Sequence, residues 1–350
     1  MHITVQRADL ARALAAVSRV VERRNTIPIL ACAHLLAEGD TLTVRATDLD
    51  MEMSVKVPAE VAQPDCTAVD AIRLGDIVKR LNGDSVELLI DSDTLSVKCG
   101  RSRSKLATVD ANDYPSLNVG EFTAEFETDI AALVAPVAYA QSDEETRYYL
   151  RGAFLHQTTE GLAVVATDGH KLAKRQTDVS VAVPASIVPK KAIAALPKGV
   201  ATVSLSPRTI RVVAGDVVLT SKLIDGTFPD YQRVVPVDNQ LSVRVDKVRL
   251  TKATELAMTV SDQRSRAVRL DIAPGAITVT ARGAGGEAGE DIEAEYSGEP
   301  FSVGINGTYL VETLAAFGAA EVEMRFADPG SPILFTAGGD LTAVAMPMRV

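Results

Sequence analysis

The chain has 350 residues, a net charge of −10, 47% hydrophobic residues and 23% charged ones. That length accommodates two or three ordinary domains, and the composition is that of a soluble globular protein rather than a disordered or fibrous one. No run reaches the roughly 18 unbroken apolar residues of a membrane span, and the acidic balance excludes a generic basic coat for nucleic acid.

The opening MHITVQRADLARAL is charged throughout and lacks the apolar core of a secretory signal, so a cytoplasmic location is expected. Within it, Leu10, Leu14 and Val17 follow Asp9 at helical spacing while Arg12 falls on another face, which predicts a short amphipathic helix with a basic side. Alternating β-branched residues in TLTVRATDLDMEMSVKV (41–57) predict two strands and a turn. A second helix is expected at IRLGDIVKRL (72–81), followed by a strand with Val86, Leu88 and Ile90 on one side.

DANDYPSLNVGE (110–121) has the turn-forming composition of a linker. The pattern then repeats: a helix from about Asp129 that Pro136 should kink or end, strands in GLAVVATDGHKLAKRQT (161–177), a helix in PKKAIAAL (189–196), and Val203/Leu205. After a second linker, DGTFPDYQRVVPVDN (225–239), come a helix from Asp246, strands in SRAVRLDI and AITVTAR, a helix in NGTYLVETLAAF (306–317), and Val322/Met324/Phe326.

The first helices are offset by 120 and 117 positions, Thr47-Asp48 and Thr167-Asp168 by 120, and the strand triplets by 117 and 119. A period of about 118 residues is one whole domain, larger than a solenoid unit. We therefore read an α+β fold of three tandem similar domains, 1–120, 121–236 and 237–350, each with two helices and a sheet.

Catalytic and metal chemistry find little support. ATDGHKLA (166–173) brings Asp168 within two residues of His170, but no Ser or Cys elbow accompanies them, and a turn-forming Asp168 beside a groove-lining His170 is the plainer reading. His2, His34, His156 and His170 form no metal-binding spacing, TDLD (47–50) lacks a calcium loop, and Cys32, Cys66 and Cys99 suggest neither disulfide nor zinc, so no metal or cofactor is expected. RGAGGEAGED (282–291) is no phosphate cradle; it reads as a solvated acidic loop.

Basic residues cluster instead on helices: Arg7, Arg12, Arg19, Arg23 and Arg24 around the first, Lys79/Arg80 and Lys190/Lys191 on second helices, and Lys247, Arg249 and Lys252 in the third unit. These are solvated faces, or, if the helices of all units share one side, a continuous basic lining. The three domains carry net charges of −3, −1 and −6, so the acid excess concentrates in the last.

RNTIPIL (24–30), TDLDMEM, GRSRSKL (100–106), TRYYLRG (146–152), TDGHKLA, FPDYQRVVP (228–236) and MPMRV (346–350), in this order, resemble the β subunits of bacterial DNA polymerase III, the replicative sliding-clamp family. The resemblance covers the whole chain. It implies a DNA-clamp fold with antiparallel sheets, two copies closing head to tail into a ring of six domains, and a non-catalytic processivity factor that encircles duplex DNA without reading sequence. It implies a peptide-binding cleft of Arg147, Leu150, Thr167, Gly169, His170, Lys171, Leu172, Pro236, Leu241, Val344, Met346, Pro347, Met348 and Arg349. DNA contacts would be Arg24, Arg73, Tyr148, Tyr149 and Lys198. The dimer interface would set Arg101, Arg103, Lys105 and Leu106 against a helix bearing Thr259 and Val260 and the acids Glu287, Glu290, Asp291 and Glu293.

Implied partners are a homodimer mate, a clamp loader, replicative and translesion polymerases, and mismatch-repair and ligase-type factors that dock through linear peptides. Ser104, Thr259, Glu144 and Glu145 depart from the family pattern. They keep open a clamp-like monomeric scaffold or resistance paralogue; a hydrolase built on Asp168 and His170 is the remaining rival.

Overall fold

The computed structural model describes residues 1–22 and 26–349. The chain forms two compact units, one of residues 1–131 with 191–223 and the other of residues 132–190 with 224–350.

In the first unit, eight antiparallel strands close on themselves in the order His2–Gln6, Ser85–Asp91, Thr94–Cys99, Ser102–Val109, Asp65–Asp70, Cys32–Glu38, Thr41–Thr47 and Met51–Gln63, the last returning to pair with the first. Met51–Gln63 is long enough to serve two neighbours on that edge: its far end pairs with His2–Gln6, while its start pairs with Val217–Lys222. The sheet continues through Thr209–Ala214 and Ala201–Leu205 to Ala124–Thr128. Helices Arg7–Val17 and Ala71–Arg80 pack together here. The first buries Leu10, Ala13, Leu14 and Val17 at helical spacing; the second starts where Asp70 accepts the Arg73 amide at 2.8 Å and ends with Lys79 and Arg80 against its dipole.

The second unit has twelve antiparallel strands, running from Ser186–Pro189 through Gly152–Thr158, Gly161–Thr167 and Lys171–Gln176 to Leu341–Ala345, and on through Ile333–Thr336, Glu321–Phe326, Leu241–Asp246, Gly286–Glu295, Ala276–Gly283 and Ala267–Ala273 to Phe301–Asn306. Helices Lys247–Met258 and Gly307–Ala316 are capped by Asp246 and Asn306, whose side chains accept amides of the first turn. They meet closely because Gly307 has no side chain: a Cβ there would stand 2.7 Å from Met258 Cγ.

The expected helices therefore form at each repeat, the middle pair being Ile130–Val134 and Lys190–Ala195. Pro136 does end the former, and the chain continues as a 3-10 turn at Ala138–Ala140. Two expectations need correction. The Gly-rich run 282–291 is mostly strand, with Gly286–Glu295 pairing along Ala276–Gly283 and only residues 284–285 left to turn; the edge position solvates its acids without a loop. Thr259 and Val260 lie past the helix end at Met258, Thr259 being its C-cap.

Candidate functional site

An apolar cleft of about 270 Å³ opens in the second unit. Its back wall is a strand pair from distant parts of the chain, with Leu172 opposite Val344 and Lys171 opposite Ala345. The pairing is extended when the Met346 amide donates to the His170 carbonyl at 2.8 Å. Beneath it, Leu150, Leu172, Tyr231 and Val344 belong to one buried cluster with Val165, Ile187 and Phe228. Phe228 stacks on Phe154, centroids 4.8 Å apart, and the Tyr231 hydroxyl is held 3.1 Å from His156 Nε2. Burial pushes the His156 imidazole below its ordinary range, so this support is neutral at pH 7.

The side wall is the turn 167–171. Thr167 donates its hydroxyl to the Lys171 carbonyl at 2.8 Å and accepts the Gly169 amide. Asp168 Oδ1 accepts the His170 and Lys171 amides at 2.8 and 2.9 Å. That carboxylate is engaged with backbone, not with the imidazole, while the His170 ring faces Tyr309 in a near-parallel arrangement with centroids 6.2 Å apart. The same Asx turn occurs at 47–51, where Asp48 accepts the Asp50 and Met51 amides with no histidine present. Asp168 is thus a turn-former with a counterpart, Asp48, in the first repeat.

Both cations of the cleft are already paired. Arg147 donates from Nε and Nη2 to the two carboxylate oxygens of Glu144, each at 2.7 Å. This side-chain bond holds the Glu144 carboxyl below its usual range and raises the Arg147 guanidinium. Lys171 Nζ reaches Glu312 at 2.5 Å, lies 3.8 Å from Asp168, and sits over the Tyr309 ring at 4.7 Å.

The cleft lining unites Arg147, Leu150, Thr167, Gly169, His170, Lys171, Leu172, Val344 and Met346. It also includes Pro229, Asp230, Tyr231 and Val234, which sequence reasoning missed as lining although FPDYQRVVP carried the family resemblance, and Tyr149, for which the resemblance implies a DNA contact. Pro236, Leu241, Pro347, Met348 and Arg349 are not part of this lining. Leu241 begins a strand opposite Phe326, and Met348 is drawn away by its amide bond to the Gly304 carbonyl at 2.9 Å.

The remaining assignments are scattered. Arg24 lies outside the described residues; Arg73 is exposed beside Asp70 at 3.4 Å; Tyr148 is 52% exposed; Lys198 is exposed beyond the helix Lys190–Ala195. Arg101, Arg103 and Lys105 are exposed at the strand Ser102–Val109, with Leu106 half-buried. Among the described residues, positions 102–107 of that strand pair on one side only, with Thr94–Cys99. Positions 286–293 likewise pair only with Ala276–Gly283, leaving Glu287, Glu290, Asp291 and Glu293 exposed along a free edge.

Helix pairs recurring with antiparallel sheets define a three-domain clamp fold. Models of the DNA polymerase III β subunit match the chain in order: the N-terminal domain at residues 1–118, the central domain at 127–230 and the C-terminal domain at 232–349. The chain belongs to this family, the bacterial sliding clamps that serve as processivity factors in DNA replication. It is 40% identical over 372 residues to the beta sliding clamp of Caulobacter vibrioides and 31% identical over 366 residues to that of Escherichia coli K12, each match covering both chains fully. Among solved structures, the Pseudomonas aeruginosa clamp bound to griselimycin superposes with a TM-score of 0.94 at 34% identity. The Caulobacter crescentus clamp with polyethylene glycol at a putative beta-motif tethering region superposes at 0.93 with 38% identity; both comparisons cover the full chains.

Proposed function

We propose that two copies close head to tail into a ring around duplex DNA, each contributing three domains bounded near residues 120 and 236. The observation that carries this reading is the pair of free strand edges, basic at 101–105 and acidic at 287–293. An unpaired edge is a template for another strand, and opposite charge fixes which edge it takes. Edges at different places on one chain make a heterologous contact, which closes only if the rotation allows a ring.

Retention on DNA is then topological, and weak phosphate contacts from Arg73, Lys198 and Arg24 suffice for sliding. The chain catalyses nothing itself and works in the cytoplasm. A clamp loader opens it, and replicative, translesion and repair partners dock linear peptides in the cleft, whose apolar floor and adaptable Met346 suit varied side chains.

Loading onto a nicked circle, followed by linearisation, tests the ring. Release from ends supports it; equal retention on circle and line refutes it. Reversing Arg103→Glu is expected to weaken the dimer by about tenfold or more in analytical ultracentrifugation; an unchanged dimer would remove this edge from the interface.

A further inference from the structure

The cleft is framed by cations that its own carboxylates have already claimed. Arg147 is tied to Glu144 by a two-point fork, Lys171 to Glu312 and Asp168, and the remaining charged lining residue, Asp230, is itself acidic and paired with Arg233 at 2.8 Å. The fork occupies the Nε–Nη2 edge of the Arg147 guanidinium. Its Nη1 end rests over Gly169, where a Cβ would come within 2.7 Å. A planar fork of this kind is the side-chain geometry best matched to a ligand carboxylate.

We propose that Glu144 is a specificity-determining residue of the cleft: it stands in for a ligand carboxylate on Arg147, so that the cleft selects linear peptides that are apolar and neutral, and disfavours those carrying an acid along the Arg147 wall. An incoming Asp or Glu must displace Glu144 or approach it as a like charge. A neutral side chain meets no such penalty. The inference rests on the peptide-binding reading of the cleft.

The test is a random decapeptide library selected in parallel on the full-length wild-type clamp and on Glu144→Gln, followed by affinity measurements on twin peptides from the pool that differ only as Asp and Asn. The Glu144→Gln pool is expected to be enriched in acids, and the Asp/Asn affinity ratio to rise about fivefold, the upper range for an exposed ion pair. Adding Arg147→Ala should abolish that shift, because the effect runs through the guanidinium. Equal acid content and an unchanged ratio would overturn the role of Glu144 while leaving peptide binding intact. Failure of both proteins to select any peptide would overturn the peptide reading together with it.

Discussion

The turns 47–51 and 167–171 are built alike and used differently. In each, a threonine hydroxyl bonds the carbonyl four residues on, an aspartate accepts two amides, and the third position has positive φ: Leu49 at 78° and Gly169 at 90°. Around 47–51 the free oxygen of Asp48 is capped by Lys191, which also pairs with Glu22 at 2.8 Å. Around 167–171 the glycine leaves a gap that Arg147 fills, and the turn becomes the wall of a cleft. The repeat supplies one frame: at 47–51 Lys191 caps it, and at 167–171 a glycine in the third position makes room for Arg147 beside the cleft.

Removing the shared aspartates tests the frame most severely. Asp48→Ala should cost about 3 kcal/mol in urea unfolding, since two amides and Lys191 lose their acceptor, and Asp168→Ala about 2 kcal/mol. Equal losses would mean that the Lys191 contact adds no more than the looser approach of Lys171 to Asp168 at 3.8 Å. Exchanging the third position should give opposite signs. Gly169→Ala is strained at its φ and presses on Arg147, so stability falls by about 1 kcal/mol and peptide affinity drops with it, whereas Leu49→Gly gains about 0.5 kcal/mol after its entropy cost. A Gly169→Ala clamp with full peptide affinity would show that Arg147 need not sit there.

The smallest effect concerns the strands flanking the first turn, where His34 lies opposite Arg45 and Arg45 stands 3.7 Å from Glu52. Burial, then Arg45, lowers the His34 pKa from 6.5 to about 4. Unfolding therefore takes up a proton between those values, and stability falls as pH drops from 6.5 towards 4. Burial raises the Glu52 carboxyl, which acts in the opposite sense across the overlapping acid range. His34→Gln should reduce the acid-side loss seen in melting temperature; an unchanged pH profile would place that loss elsewhere.

Much of this was legible in the sequence because helices and strands carry their own periods. Leu10, Leu14 and Val17 declare a helix and Pro136 its limit, and the 120-residue echo of Thr-Asp marks the two turns. What was hidden depends on registers between distant segments. Leu241 follows Pro236 closely in sequence, yet strand pairing with Phe326 commits it elsewhere, while Tyr231 reaches the cleft floor through a 3-10 turn and a histidine contact that no local pattern announces. The acids of 287–293 were visible, but glycine density hid the strand that lines them along an edge.

The cleft's back wall joins Leu172 to Val344, 172 positions later in the chain (344 − 172). During synthesis, a nascent clamp therefore has one wall and no partner for it until the last strands leave the ribosome. Formation of the cleft becomes a readout of completion: a chain interrupted before Leu341 would lack Val344 and Met346, and with them one side of the cleft.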